Sequence, residues 1–299
     1  MFNKVCIIGC GLIGSSLARA IKKFGISNRI VSSNRTDSIN KKVLELKIVD
    51  DSSSDTKKMV KDSDLIIIAT PLSSYKDVIL KIKDSLKEGS ILTDVGSVKK
   101  NIISLIEKNV SEKVSWIASH PIAGTEESGP ESGFSEIFKN RWCILTPSKK
   151  TKDKDIKLLE NFWKKIGSKV DIMDASQHDH ILSITSHIPH LIAYNIVNTS
   201  INSEEEKESQ IVKYSAGGLR DFTRIAASNP TMWRDIFLSN KNNTSKGIDN
   251  FIENLQDLKK AIEEEDGNKL EEIFKKTKKI RKLIIEAGQD ISKPDFGRK

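Results

Sequence analysis

The stretch Gly9-Cys10-Gly11-Leu12-Ile13-Gly14 restricts the fold more than any other in the chain. It follows an apolar run, KVCIIG, and leads into a segment with apolar residues at Leu12, Leu17, Ala20 and Ile21 that stops at Gly25. That order reads as strand, tight turn, helix. Gly9 permits the turn, Gly11 lets a pyrophosphate come against backbone, and Gly14 lets helix and strand pack closely. The helix N-terminus then presents unpaired N–H groups to the anion. A glycine pattern of this kind is weak alone. Here it follows a strand and opens a helix, so it predicts a dinucleotide site formed by Gly9, Gly11, Leu12, Ile13 and Gly14.

The segments that follow keep alternating. RIVSSN reads as a second strand, and Asp64 to Ala69 (DLIIIA) is a continuous β-branched run, as expected for a strand covered on both faces of a parallel sheet. ILTDVGS and VSWIASH repeat the pattern, each after a helical stretch. The fold class is α/β: an N-terminal Rossmann-type doubly wound sheet. The polar segment SKKTKDKD after Pro147 marks a domain boundary near residue 150. Residues 151–299 contain one more short α/β-like piece, LENFWKKIGSKVDIMD, and otherwise read as helical. In the last helix Asn268 is the expected cap, and Leu270, Ile273, Phe274, Ile280, Leu283 and Ile284 form one stripe, for the core or for a second subunit.

The end of the second strand bears on cofactor choice. A carboxylate about 20 positions after the glycines binds a ribose 2′-hydroxyl. Here the chain has Ser33, Asn34 and Arg35, with Asp37 three residues beyond Asn34. Arg35 can pair with a 2′-phosphate, and a charge-assisted contact of roughly 1.5–3 kcal/mol is a ~10- to 150-fold preference. NADP is therefore expected over NAD, unless Arg35 is simply a solvent-facing turn residue. Thr70 and Pro71 end the buried strand at its carboxyl side and are expected along the cofactor's ribose.

The chain has 299 residues, enough for a sizeable core, and no apolar run near the roughly 18 residues that span a bilayer. The N-terminus lacks a basic region followed by a long apolar stretch, so no signal peptide is expected. Lys+Arg number 49 against 41 Asp+Glu, a formal net charge of +8. The lysines are scattered and aromatics are only 6%, which argues against a nucleic-acid surface and for a solvated one. Cys6, Cys10 and Cys143 are odd in number and lack metal-ligand spacing. They read as small buried residues in a reducing cytoplasm. Four of the five histidines lie between residues 178 and 190, but with no cysteine nearby a metal site is not expected.

His120 closes the strand-like run Trp116 to Ala118, placing it at the carboxyl edge of the same sheet. Pro121 holds it extended, and Ile122-Ala123-Gly124-Thr125 leaves space beside the ring. A fixed imidazole near a nicotinamide suits base-assisted hydride transfer, although a histidine at a strand end can equally be structural.

The motifs SHPIAGTEESG (119–129), TDVGSVK (93–99), SHIPHLIA (186–193) and GGLRDFTRIAASNPTMW (217–233) together resemble the prephenate/arogenate (cyclohexadienyl) dehydrogenase family. The resemblance covers essentially the whole chain. It implies oxidative decarboxylation in tyrosine biosynthesis: a hydride leaves C4 of a cyclohexadiene ring, the hydroxyl becomes a carbonyl, CO2 departs and the ring aromatises. It gives His120 the role of base and Ser97 that of its hydrogen-bond partner, also touching the nicotinamide. It places Arg224 on a substrate carboxylate, His190 and Trp233 in the pocket, Thr125 and Glu126 at its border, Gly217 at a close backbone approach and Asp221 at the entrance. His187 is expected to assist. His178 and His180 read as structural or exposed, in a helix that Ser176 opens with Asp179 as its capping box. Pro189 should kink the next helix. The family also implies a helical C-terminal dimerisation domain and a homodimer. A second reading is another two-domain NAD(P) enzyme, a β-hydroxyacid dehydrogenase or imine reductase. Those lack the pairing of HPIAGTE with DFTRIA. The residues do not separate prephenate from arogenate.

Overall fold

The computed structural model describes residues 2–201, 213–215 and 217–287. Among these, one eight-stranded sheet runs in the order β3-β2-β1-β4-β5-β6-β7-β8. Its strands are β1 (Phe2–Ile8), β2 (Ser27–Ser33), β3 (Asp51–Ser52), β4 (Leu65–Ile68), β5 (Ile91–Asp94), β6 (Ser115–Pro121), β7 (Trp142–Pro147) and β8 (Lys169–Ile172). Neighbours from β3 to β6 are parallel, β7 is antiparallel to β6, and β8 is parallel to β7. The four residues of β4 are fully buried, each with its side chain removed from water on a sheet covered on both faces. Burial of such side chains contributes about 1.5–3 kcal/mol each before entropy is counted. The helices of this part are α1 (Leu12–Lys23), α2 (Asp37–Glu45), α3 (Thr56–Val60), α4 (Tyr75–Ile82), α5 (Lys100–Asn109) and α6 (Asp153–Lys165).

The boundary expected at residue 150 falls inside this layer and needs correction. The chain passes through α6, and β8 then pairs with β7 from Trp142↔Lys169 to Leu145↔Ile172. Leu159, Phe162 and Trp163 of α6 join the core under β1 and β7. The charged residues 148–155 are a surface connection within the sheet domain, so the sheet ends at Ile172.

Helices follow: α7 (Ala175–Leu182), a π-helical turn (Ser183–His187), α8 (Ile188–Ile201), α9 (Gly217–Thr223), a 3-10 turn (Arg224–Ala227), α10 (Pro230–Ser239), α11 (Lys241–Glu263) and α12 (Gly267–Glu286). A π-helical turn, Ser183–His187, stands directly before α8, whose second residue, Pro189, has no N–H to donate backwards. Two helix starts differ from expectation. Asp174, not Ser176, caps α7 by accepting the Ser176 and Gln177 N–H groups. Asp266, not Asn268, caps α12 by accepting the Lys269 N–H.

By contact the chain divides into Met1–Thr244 and Ser245–Lys299. The first unit contains the sheet and the helices through α10. The second holds most of α11 and all of α12, whose outward apolar residues include Phe251, Leu255, Phe274, Ile280, Leu283 and Ile284. No helix among the described residues is long and apolar enough to cross a membrane.

Candidate active site

The glycine loop has the shape an anion needs. Gly9 has φ +92°, and a Cβ there would lie 2.8 Å from the Ala69 carbonyl oxygen. A Cβ at Gly14 would lie 2.0 Å from the Gly9 oxygen, so only glycine lets α1 sit this close to β1. Gly11 faces open space, and it precedes α1 without capping it by a side chain. The first-turn N–H groups, with Leu12 and Ile13 among them, are left to meet an anion. Thr70 lies two residues past β4, beside Gly9, and its Oγ1 is buried without a partner among the described residues, while Pro71 is exposed. These residues fit a dinucleotide lying across the β1–β4 switch point.

The three residues after β2 separate. Ser33 is buried and donates to Thr56 Oγ1 at 3.0 Å. Asn34 is buried too: its Oδ1 accepts the Cys10 N–H at 2.6 Å, and its Nδ2 donates to Asn40 Oδ1 at 3.0 Å. Asn34 thus holds the glycine loop from behind. Only Arg35 of the three reaches solvent, with no ion pair among the described residues. Burial pushes the Cys6 thiol up to about 12 and the Cys10 thiol up to about 11, so both are neutral packing groups.

At the ends of β5 and β6 lies a dry polar cluster. The Lys99 ammonium, fully buried, donates to Asp94 Oδ2 at 2.6 Å and to the Ser119 carbonyl at 2.7 Å. Asp94 also accepts from Tyr75 Oη at 3.1 Å, from the Gly96 N–H at 2.9 Å and from the Ser119 N–H at 3.1 Å. Burial pulls the Lys99 pKa down and the Asp94 charge pulls it back up. This pair ties the turn after β5 to the strand that carries His120.

His120 is 8% exposed. Its Nδ1 lies 2.8 Å from Nε2 of His178, and Nδ1 of His178 lies 2.8 Å from Asp179 Oδ1. Asp179 in turn accepts the Lys99 N–H at 2.8 Å and the Lys100 N–H at 3.0 Å, capping α5 from another element. The partner expected for His120 was Ser97. Ser97 is half-buried in the turn after β5, and its hydroxyl makes no hydrogen bond among the described residues. His178, expected to be structural or exposed, occupies that role and is fully buried. His180 is exposed. Burial, then the neighbouring His178, Lys99 and His187, hold the His120 imidazole well below its ordinary pKa, so it is neutral near pH 7.

The helical side contributes a ring stack. His190 lies on Trp233 with centroids 3.8 Å apart and planes 24° apart, and its Nδ1 donates to the Ser186 carbonyl at 2.8 Å. Burial, with a smaller push from the Arg224 charge, lowers the His190 pKa. His187 meets Trp233 edge-on at 6.2 Å, and burial holds its pKa down to about 4. Arg224 pairs with Glu126 at 3.4 Å, with side chains 55% and 39% exposed. Thr125 is exposed beside Glu126 and its Oγ1 accepts the Glu127 N–H. Gly217 opens α9, where a Cβ would meet nothing within 4 Å among the described residues, so no close approach is seen there. The Asp221 side chain lies outside the described residues.

Between the two ends, Trp233 meets both His187 and His190, while His187 acts on His120 and Arg224 on His190 through charge. The structure also reveals His178, Asp179, Lys99 and Asp94, which the sequence reading did not place at the site. The histidine cluster between 178 and 190 was the available signal for the first two.

A dinucleotide loop and a neutral histidine at the carboxyl edge of one doubly wound sheet define an NAD(P)-dependent dehydrogenase. The models of two domains of one family cover most of the chain. The prephenate dehydrogenase nucleotide-binding domain matches residues 17–172, and the prephenate dehydrogenase dimerization domain matches residues 174–276. The chain belongs to the prephenate dehydrogenase family. A cyclohexadienyl dehydrogenase of Zymomonas mobilis is 36% identical over 97% of this chain and 99% of its own. A prephenate dehydrogenase of Bacillus subtilis is 32% identical over 94% of this chain and 76% of its own. The crystal structure of prephenate dehydrogenase from Aquifex aeolicus with hydroxyphenyl propionate and NAD+ superposes with TM-score 0.88 at 34% identity, covering 95% of this chain and 99% of that one. These matches set aside the alternative β-hydroxyacid dehydrogenase or imine reductase reading.

Proposed function

We propose that the chain oxidatively decarboxylates a cyclohexadienyl substrate, prephenate or arogenate, to 4-hydroxyphenylpyruvate or tyrosine. The observation that carries this reading is His120: a buried, neutral imidazole at the sheet edge, whose pKa feels His187, while Arg224, exposed, acts on His190 of the Trp233 ring stack. Bound nicotinamide supplies the hydride acceptor. A hydride leaves C4, and His120 takes the hydroxyl proton as C4 becomes a carbonyl. The C1–carboxylate bond then breaks, its electrons aromatise the ring, and the proton returns from His120 to the new phenolate oxygen. No net proton is consumed. Arg224 takes a substrate carboxylate in exchange for Glu126, a planar guanidinium being suited to two parallel bonds. The face of Trp233 carries His190 against the ring of the substrate.

Arg35 supports NADP over NAD: it is an exposed cation just past β2, and Asn34, not a carboxylate, stands at the strand end where a 2′-phosphate would be repelled. A homodimer is supported by the dimerization-domain match and by the outward apolar residues of α11 and α12. The test is a spectrophotometric assay crossing both substrates with both cofactors. The reading expects cofactor reduction with one CO2 released per turnover in at least one combination. Reduction in none of the four would overturn it.

A further inference from the structure

We propose that His178, oriented by Asp179, is a positioning residue that keeps the His120 proton on Nδ1 and so leaves Nε2 as the proton acceptor. This rests on the base role given to His120 above and goes beyond it, because the acid–base reading alone does not say which ring nitrogen is free.

Asp179 Oδ1 receives the Lys99 N–H, and Oδ2 receives the Lys100 N–H. Both donors belong to the start of α5, where the helix favours negative charge. Burial works against ionisation of Asp179, but the bonds from His178, Lys100 and Lys99 outweigh it and hold its pKa below the usual carboxylate value. An ionised carboxylate only accepts, so the 2.8 Å contact requires His178 to carry hydrogen on Nδ1. Burial also disfavours the imidazolium form of His178, with the Lys99 charge adding to it against the opposing pull of Asp179. The neutral ring that remains has a lone pair on Nε2. Facing it at 2.8 Å is Nδ1 of His120, which must therefore be the donor.

The opposite tautomer would set two lone pairs against each other in a buried site. It would leave both nitrogens unsatisfied and put a proton on Nε2, where the substrate hydroxyl must deliver one. The chain Asp179–His178–His120 resolves a choice that a histidine in water makes freely. It also accounts for a fully buried histidine 58 positions from its partner, in a helix whose cap is a different aspartate.

Two measurements test this. His178→Leu removes the acceptor at similar volume and should lower kcat ~10- to 100-fold, with KM within about threefold. His178→Gln, whose amide oxygen can reach the Nε2 position, should recover most of that loss. A kcat for His178→Leu within about twofold of wild type, or no recovery with glutamine, would overturn the proposal. Because leucine at a buried polar position can disturb packing, the tautomer is also read directly in the wild-type protein by ¹⁵N NMR of the histidine rings. The expected His120 spectrum is the Nδ1–H form near pH 7, and an Nε2–H form would overturn the proposal. The NMR result needs no substrate. A failed assay with every substrate would count against the functional reading while leaving the tautomer result standing.

Discussion

His120 and Arg224 are given opposite ends of one substrate, and they stand in opposite physical settings. His120 is 8% exposed, with one ring nitrogen already bonded inside the protein. The Arg224 side chain is 55% exposed, and its ion-pair partner among the described residues, Glu126, is 39% exposed and 3.4 Å away. A proton acceptor must have one tautomer and one direction before the substrate arrives, and burial with charge-anchored bonds supplies both. A carboxylate clamp must open to admit and release its ligand, and an exposed ion pair worth well under 1 kcal/mol is easily exchanged. The dry end is rigid because its chemistry depends on angle, and the wet end is loose because its task is capture.

The comparison breaks most readily at the dry end. His120→Asn should lower kcat by ~10²- to 10⁴-fold while KM changes little, the range for loss of a general base. Steady-state kinetics on the purified variant checks this, and a loss confined to KM would place His120 on the wet side instead. Lys99→Met should destabilise the fold by about 3–5 kcal/mol, because it strands the fully buried Asp94 carboxylate among Tyr75, Gly96 and Ser119. Denaturant unfolding measures it, and a change below about 1 kcal/mol would show that the pair is not dry.

The wet end predicts smaller effects of another kind. Arg224→Ala should raise KM ~10- to 100-fold and leave kcat within a few-fold, a binding loss without a chemical one. An equal loss in kcat would mean that Arg224 acts in the transition state and that the contrast is false. Arg35→Ala should weaken NADP ~10-fold more than NAD, read from the two cofactor KM values. Equal effects would remove the expected cofactor preference.

What was legible in the sequence follows the same division between local and distant. The glycine loop, the buried β4 run and the strand carrying His120 are written in consecutive residues, because strand burial and turn geometry are local demands. β3 is only Asp51–Ser52 and has no periodicity to read. The place of β8 was hidden because Lys169–Ile172 sits at the sheet's edge, mostly exposed, and looks polar. Both misplaced helix caps lay two residues from the actual ones, since Asp, Ser and Asn compete on similar chemistry and only backbone geometry chooses among them. Ser97 was expected to hold His120 because the family resemblance implies it. His178 does so from 58 residues away, and a pairing across two elements leaves no spacing signal. Lys99 was part of a quoted motif, yet its complete burial went unread, because lysine is ordinarily a surface residue.

The central claim is that the chemical step belongs to an imidazole kept neutral first by its burial, and then by His178 on α7, Lys99 at the start of α5 and His187 in the π turn. The pH dependence of kcat/KM tests it most directly. A base whose folded pKa lies well below 6.5 stays active as the pH falls through 6.5, losing rate only at lower pH as the ring is protonated. The account predicts an acid limb with its midpoint clearly below 6.5, absent in His120→Asn. A midpoint at or above 6.5 in the wild type, or the same limb in the variant, would contradict it.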